Sequence, residues 1–278
     1  MENYVNMIAI ENSNNFSQAF RDMAWEVFFT TKGRGISLRR HFPFLYASSS
    51  RVQSFEARES GQLIGGLALK TEEYFFEEKQ YKVGLIGLVC VSPNFRGLGV
   101  GRNLLTQVIK YAKFNSFDYL TLWTNQHGIY SGLGFEVSDR WNYGWIEQPE
   151  VNICEASIPM EGLPGIEDKV KPLPPFATAR YELNNKNAAI AYLCDFDGVI
   201  VADYSGEPSL VAKMLFEQLP KKWRLNFIEN DPLVGALSDL GLKVSASPTN
   251  LQMWLALSQR DPLLVVPNSM LISVLDRI

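Results

Sequence analysis

Apolar residues set the elements along the chain. Phe16, Phe20, Met23, Ala24, Val27 and Phe28 recur at helical spacing, and Gly33 follows as a stop, which predicts a helix over 14–31. A polar, arginine-bearing loop then ends in His41, Phe42, Phe44 and Tyr46. "RVQSFEARESGQLIGGLALKTEEYFF" reads as two strands about a Glu-Ser-Gly turn, and "YKVGLIGLVCV" as an apolar strand. From 101 to 114, Leu104, Leu105, Val108, Ile109 and Ala112 share one helical face suited to lie on a sheet. "YLTLWT" is a further buried strand, a short helix holding Tyr130 ends at Gly134, and "FEVSDRWNYGWIE" supplies the last strands of this half. Strand, helix, strand, short helix and strand after an antiparallel opening make an α/β (mixed α+β) fold.

Pro159, Pro164, Pro172, Pro174 and Pro175 then stiffen a connector over 151–176. Beyond it the pattern repeats: two strands, the helix "EPSLVAKMLFEQL", the strand "WRLNFIE", a short helix, and a final pair of strands in "LKVSASPTNLQMWLAL". "LTLW…GLGFEV" in the first half corresponds to "LNFI…DLGLKV" in the second. The expectation is two related domains, 1–150 and 177–278, the second without room for the opening helix.

Charge and cysteine usage exclude several classes. With 26 Lys and Arg against 30 acidic residues, the net charge is −4, which argues against a nucleic-acid-binding module and mildly favours a cationic substrate. Cys90, Cys154 and Cys194 are odd in number and far apart, as expected of reduced thiols in the cytoplasm. The opening "MENYVNMIAIENSNN" lacks the basic region and apolar core of a signal peptide, and no run approaches the ~18 apolar residues of a membrane span. Only His41 and His127 occur, without paired Cys or His spacing, so no metal site is expected. The last stretch, "DPLLVVPNSMLISVLDRI", is apolar enough to pack on a domain or on a partner, a homodimer included.

The chemistry concentrates in "VSPNFRGLGVGRN", residues 91–103. Glycines this close let backbone approach a ligand with no Cβ between, and the N–H groups at a helix start favour an anion. The spacing of Gly97, Gly99 and Gly101 is wrong for a dinucleotide fingerprint, and no Gly-Lys-Ser/Thr follows as in a P-loop. Val91, Pro93, Arg96, Gly97, Gly99 and Gly101, followed by Tyr130, Gly134 and Phe135, instead resemble two ordered motifs of the GNAT N-acetyltransferases, over about residues 10–147.

That resemblance implies a GNAT fold using acetyl-CoA. Backbone N–H groups of Gly97, Leu98, Gly99, Val100, Gly101 and Arg102 would cradle the pyrophosphate at the positive end of the helix dipole. Arg96 would add a cation there or brace the loop. The strands at Val89–Val91 and 120–124 would splay to admit the pantetheine arm, with the N–H near Val91 polarising the thioester carbonyl. Asn125 would contact that arm or cap the next helix. Tyr130 would protonate the departing thiolate, since a phenol of pKa ~10 holds its proton at neutral pH.

The chain also departs from the family pattern. Many relatives carry a glutamate base on the strand before the loop, where this one reads "VGLIGLVCV"; Glu56, Glu72, Glu73 or a water chain are left as substitutes. Cys90 reads as a small buried hydrophobe, His127 as a turn residue, and the aromatic patch about His41 as a substrate contact or as packing. In the second half, the repeat alignment sets Glu207 at the place of Arg96 and Leu237 at that of Tyr130, so this domain is expected to bind no coenzyme A. Asp195 and Asp197 resemble the opening motif of haloacid-dehalogenase-like phosphatases, but an Asp-Gly hairpin explains the same letters. The reading is an acetyl-CoA-dependent N-acetyltransferase acting on an amine; the alternative is a non-catalytic acyl-CoA sensor or protein-interaction module.

Overall fold

The computed structural model describes residues 8–33, 35–76, 78–149, 163–257 and 270–277. Cys154, Pro159 and most of the apolar stretch 261–278 lie outside the described residues, as does the first part of the connector. The first elements are β1 (Ala9–Ser13), α1 (Gln18–Phe28), α2 (Leu38–His41), β2 (Val52–Glu59), β3 (Gln62–Phe76) and β4 (Lys79–Val91). Next come α3 (Val100–Phe114), β5 (Tyr119–Trp123), α4 (His127–Ser131), β6 (Glu136–Val137) and β7 (Trp141–Glu147). The chain continues through β8 (Ile166–Glu167), β9 (Ala179–Asn184), β10 (Ala188–Asp195), β11 (Gly198–Gly206) and α5 (Pro208–Gln218). It closes with β12 (Lys222–Ile228), α6 (Pro232–Asp239), β13 (Lys243–Pro248) and β14 (Gln252–Ala256).

Two sheets result, ordered β1-β2-β3-β4-β5-β14-β6 and β8-β9-β10-β11-β12-β7-β13. Position for position the orders are the same, with β7 and β14 in corresponding slots. Each half has lent that strand to the other: β14 pairs antiparallel with β5 from the first half, and β7 with β12 from the second. The compact units are accordingly Met1–Ser138 with Leu251–Ile272 and Arg277–Ile278, and Asp139–Asn250 with Ser273–Asp276. These cross the boundaries expected at 150 and 177. The last strands expected of the first half divide between the sheets, and so does the final pair expected of the second. Alternation along a strand fixes which face is buried, not which distant strand it joins.

In unit 1, Ser17 caps α1 by accepting from the Phe20 N–H at 3.1 Å, starting the helix later than its apolar spacing suggested. The buried stripe of α3, Val100, Leu104, Leu105, Val108 and Ala112, packs on one face of the sheet with Ile86, Leu120, Leu122, Tyr130 and Phe135. On the opposite face α1 and the segment after it cover Leu88 and Cys90 through Phe20, Phe42 and Leu45. Unit 2 packs α5 and α6 on one face of its sheet around Trp223 and Leu225. Its Asp195–Asp197 motif is the β10–β11 hairpin, in which Asp195 faces Gly198, accepts from the Asp197 N–H at 2.8 Å and pairs with Arg224.

The exchanged strand β7 is held close to β13. A Cβ on Gly144 would lie 2.2 Å from the Ser245 carbonyl oxygen and 2.3 Å from the Ala246 Cα, both backbone atoms. Gly144→Ala is therefore expected to destabilise unit 2 by about 2 kcal/mol or more, read as a lowered unfolding midpoint in thermal denaturation.

Candidate functional site

The site begins where two parallel strands part. β4 pairs with β5 only at Val83–Leu85 against 119–121, after which β4 runs on to Val91 and β5 to Trp123 without joining. Within the unpaired stretch of β4 sits a β-bulge. Gly66 faces Cys90 and Ala68 faces Gly87, so Leu67 alone opposes Leu88 and Val89, and Leu88 adopts φ 53°. The extra residue reverses the facing of everything after it: Val89 and Val91 turn toward α3, Cys90 toward α1. The Ser92 N–H bonds the Ile64 carbonyl at 2.9 Å, and alternation along the ladder then turns the Val91 N–H away from β3, into the gap.

The loop that follows leads to an open helix start. Arg96 Nε donates to the Val91 carbonyl at 3.2 Å, so this side chain braces the loop. Gly97 and Gly99 have φ 79° and 80°, and nothing lies within 4 Å of where a Cβ would stand. Their backbone angle selects glycine, and the space above them is clear. Gly101 is helical and would meet only Val91 Cγ2 at 3.7 Å, so packing inside the chain does not require glycine there. Leu98 is exposed, whereas the Val100 side chain is buried in the α3 core and offers only its backbone. Arg102 reaches the Gly132 carbonyl at 3.4 Å, tying α3 to α4. No side chain caps α3 at Gly99 or α4 at Gln126. Asn125 therefore does not cap α4, one of the two roles its position allowed.

Unit 2 treats the same places differently. β11 and β12 also part early, after Val201 and Leu225. Here Glu207 caps α5 with its own carboxylate, accepting from the Leu210 N–H at 3.0 Å and the Ser209 hydroxyl. Asp231 caps α6, accepting from the Leu233 N–H at 3.0 Å, and also receives the Tyr204 hydroxyl from β11. Helix starts equate Glu207 with Gly99 rather than with Arg96. The sequence alignment slipped because the loop Ser92–Leu98 has no counterpart between Gly206 and Glu207. The match of Leu237 to Tyr130 holds: Leu242 N–H bonds Leu237 O as Phe135 N–H bonds Tyr130 O.

Tyr130 is buried on α4, its ring edge-on to Phe135 at 6.1 Å between centroids. Burial raises its pKa above the ordinary value of 10.0, so the phenol keeps its proton at neutral pH. Cys90 is no nucleophile: burial pushes its thiol up to about 12, and its Sγ rests 3.7 Å from the Gly66 carbonyl. His41 is packing, stacked on Phe29 at 4.7 Å with Nε2 accepting from the Ile36 N–H. His127 opens α4.

Of the three candidate carboxylates, one is held by neighbouring groups and two lie far along the sheet from Val91. Glu56 accepts from the Ser17 N–H at 2.8 Å and pairs with Arg58 at 2.7 Å. Glu72 pairs with Lys70, Glu73 accepts from Gln80, and both oppose the start of β4 at Val83 and Lys82. Eight or nine residues at ~3.3 Å each separate them from Val91, about 26–30 Å. Glu72→Gln and Glu73→Gln are expected to leave turnover within about twofold of wild type in a thiol-release assay, as surface changes remote from a site do.

The sequence profile of the acetyltransferase (GNAT) family matches residues 17–135. These residues are a GNAT-family domain. The solved GCN5-related N-acetyltransferase from Kribbella flavida shares the fold at TM-score 0.61 and 13% identity, over 91% of this chain and 72% of its own. Eis1 from Mycobacterium abscessus does so at 0.59 and 15%, over 90% and 74%. The GCN5-related N-acetyltransferase from Anabaena variabilis gives 0.56 and 14%, over 90% and 73%. No curated protein sequence matches the chain. The GNAT fold thus spans both units, and GNAT proteins transfer acyl groups from acetyl-CoA to amines. The strand β14 was expected, but its place beside β5 was not, because no local pattern names its partner.

Proposed function

We propose that unit 1 is an acetyl-CoA-dependent N-acetyltransferase and that unit 2 is a copy of the fold without a coenzyme site. The contrast at the helix starts carries this reading. In unit 1 a parted strand pair leads to an uncapped α3 behind two glycines of positive φ with open space above them. In unit 2 carboxylates of the chain itself, Glu207 and Asp231, occupy the equivalent starts.

The residues fit the coenzyme in kind. N–H groups from Gly97 to Arg102 would hold the pyrophosphate, aided by the helix dipole. The Val91 N–H would donate to the thioester oxygen, and Val89 and Asn125 would line the pantetheine arm. Bound acetyl-CoA supplies an acyl thioester whose C–S bond is exchanged for the C–N bond of an amide. Tyr130 holds a proton on its Oη for the departing sulfur. The amine would enter deprotonated, since Glu56, Glu72 and Glu73 are engaged elsewhere.

The engaged carboxylates also favour a second reading, an acyl-CoA sensor that binds without turnover. One experiment separates the two: calorimetric titration of acetyl-CoA, followed by thiol release with a mixture of amines. An enzyme binds and releases CoA, a sensor binds only, and a wild type that binds nothing removes both readings.

A further inference from the structure

We infer that the outer edge of unit 1 binds an extended acidic peptide, which adds a strand beside β1 and sets one large apolar side chain between β1 and α3. β1 is the last strand of its sheet, and among the described residues no strand pairs with its free side. Four of its five residues are exposed. An unpaired edge offers a row of backbone N–H and C=O groups that a second chain can complete.

A groove of about 290 Å³ runs beside that edge, lined by Ile10 and Asn12 of β1, Phe55 of β2, and Gln107, Lys110 and Phe114 of α3. Its floor is aromatic, with the Tyr111 ring edge-on to Phe55 at 5.5 Å between centroids. Phe114 stands at the rim, 89% exposed at the end of α3. Pockets for small molecules begin at about 300 Å³, so this space suits a single side chain rather than a cofactor. Side chains alternate along a strand, and every second residue of an added strand would share the face of Ile10 and Asn12, over the groove.

The charge beside the groove has one sign. α3 carries Arg102, Lys110 and Lys113 and no acidic residue, in a chain of net charge −4. Lys110 is exposed, and no described carboxylate pairs with it. Glu11 and Glu56 lie on the opposite face of their strands beside Arg58, where Glu56 also accepts from the Ser17 N–H. Asp22 and Glu26 belong to α1, which covers that opposite face. Asp118 accepts from the Lys82 N–H at 2.8 Å, and Glu59 stands four residues along β2 from Phe55, about 13 Å away. A second copy joined about a two-fold axis through β1 would set one basic α3 beside another, so the charge selects an acidic partner instead. Glutamates two residues to either side of the apolar side chain share its face and reach Lys110 and Lys113.

The test uses the full chain and a fluorescent acetyl-Thr-Glu-Thr-Phe-Thr-Glu-Thr-amide, whose order of residues is the same in either strand direction. Anisotropy is expected to show saturable binding with Kd below about 1 mM, weakened about tenfold in Lys110→Glu and about fivefold in Phe114→Ser. Both side chains are exposed, so the unfolding midpoint and the affinity for acetyl-CoA are expected to stay as in wild type. The peptide with Lys in place of Glu, and the peptide with its Thr-Phe-Thr amides N-methylated, are expected to bind at least about tenfold more weakly. No binding by wild type, equal binding of the lysine peptide, or indifference to N-methylation or to Lys110→Glu overturns the inference. So does a wild-type dimer in sedimentation that Phe114→Ser dissociates, because the edge then belongs to a second copy.

Discussion

Gly99→Glu is expected to weaken acetyl-CoA binding about a hundredfold or more. The change writes into unit 1 the residue that unit 2 carries at the equivalent helix start, Glu207. Two effects act together. A carboxylate set beside a pyrophosphate repels it by several kcal/mol at ~4 Å even at an effective dielectric near 20, and the exposure of this loop lowers that to about 2–3 kcal/mol. Gly99 also holds φ 80°, where a residue with a Cβ costs about 1–2 kcal/mol. Their sum exceeds the ~2.7 kcal/mol of a hundredfold change. Calorimetry measures it, and Gly235→Glu, an open position on α6 with nothing within 4 Å, is the control expected to bind like wild type. Equal affinity in Gly99→Glu would place the coenzyme away from α3.

Tyr130→Phe is expected to lower kcat about a hundredfold while leaving the KM for acetyl-CoA within about threefold, the signature of an interaction made only as the bond breaks. The ring and its edge-on contact with Phe135 remain, so the fold is unaffected. The sign of the pH dependence follows from burial. The phenol is the active form, and burial moves its loss of proton above 10.0. Wild-type kcat is therefore expected to show no decline assignable to Tyr130 below about pH 10. A Tyr130→Phe variant with undiminished kcat would assign protonation of the sulfur to water.

The glycine loop was legible in the sequence because its chemistry is local. Gly97 and Gly99 are required by their own backbone angles, and the helix they precede shows its apolar stripe at the expected spacing. Tyr130 was legible for the same reason: four residues later the chain must turn at Gly134, which has φ 93°. The Asp195–Asp197 hairpin was likewise readable from its Asp-Gly letters. The roles of the carboxylates were not. Nothing near Glu56 in sequence announces that the Ser17 N–H binds it, and nothing near Glu72 tells how far along β3 it lies from Val91.

The sequence by itself determined the order of elements, the glycine-led helix start in the first half and the loss of its glycines in the second. Tertiary structure decided the exchange of β7 and β14 and the bulge at Leu88 that turns Val91 toward α3. The division has one physical cause. Backbone angles and helical spacing are set within a few residues, whereas strand partners and facing charges are chosen by the burial of surfaces the chain brings together from far apart.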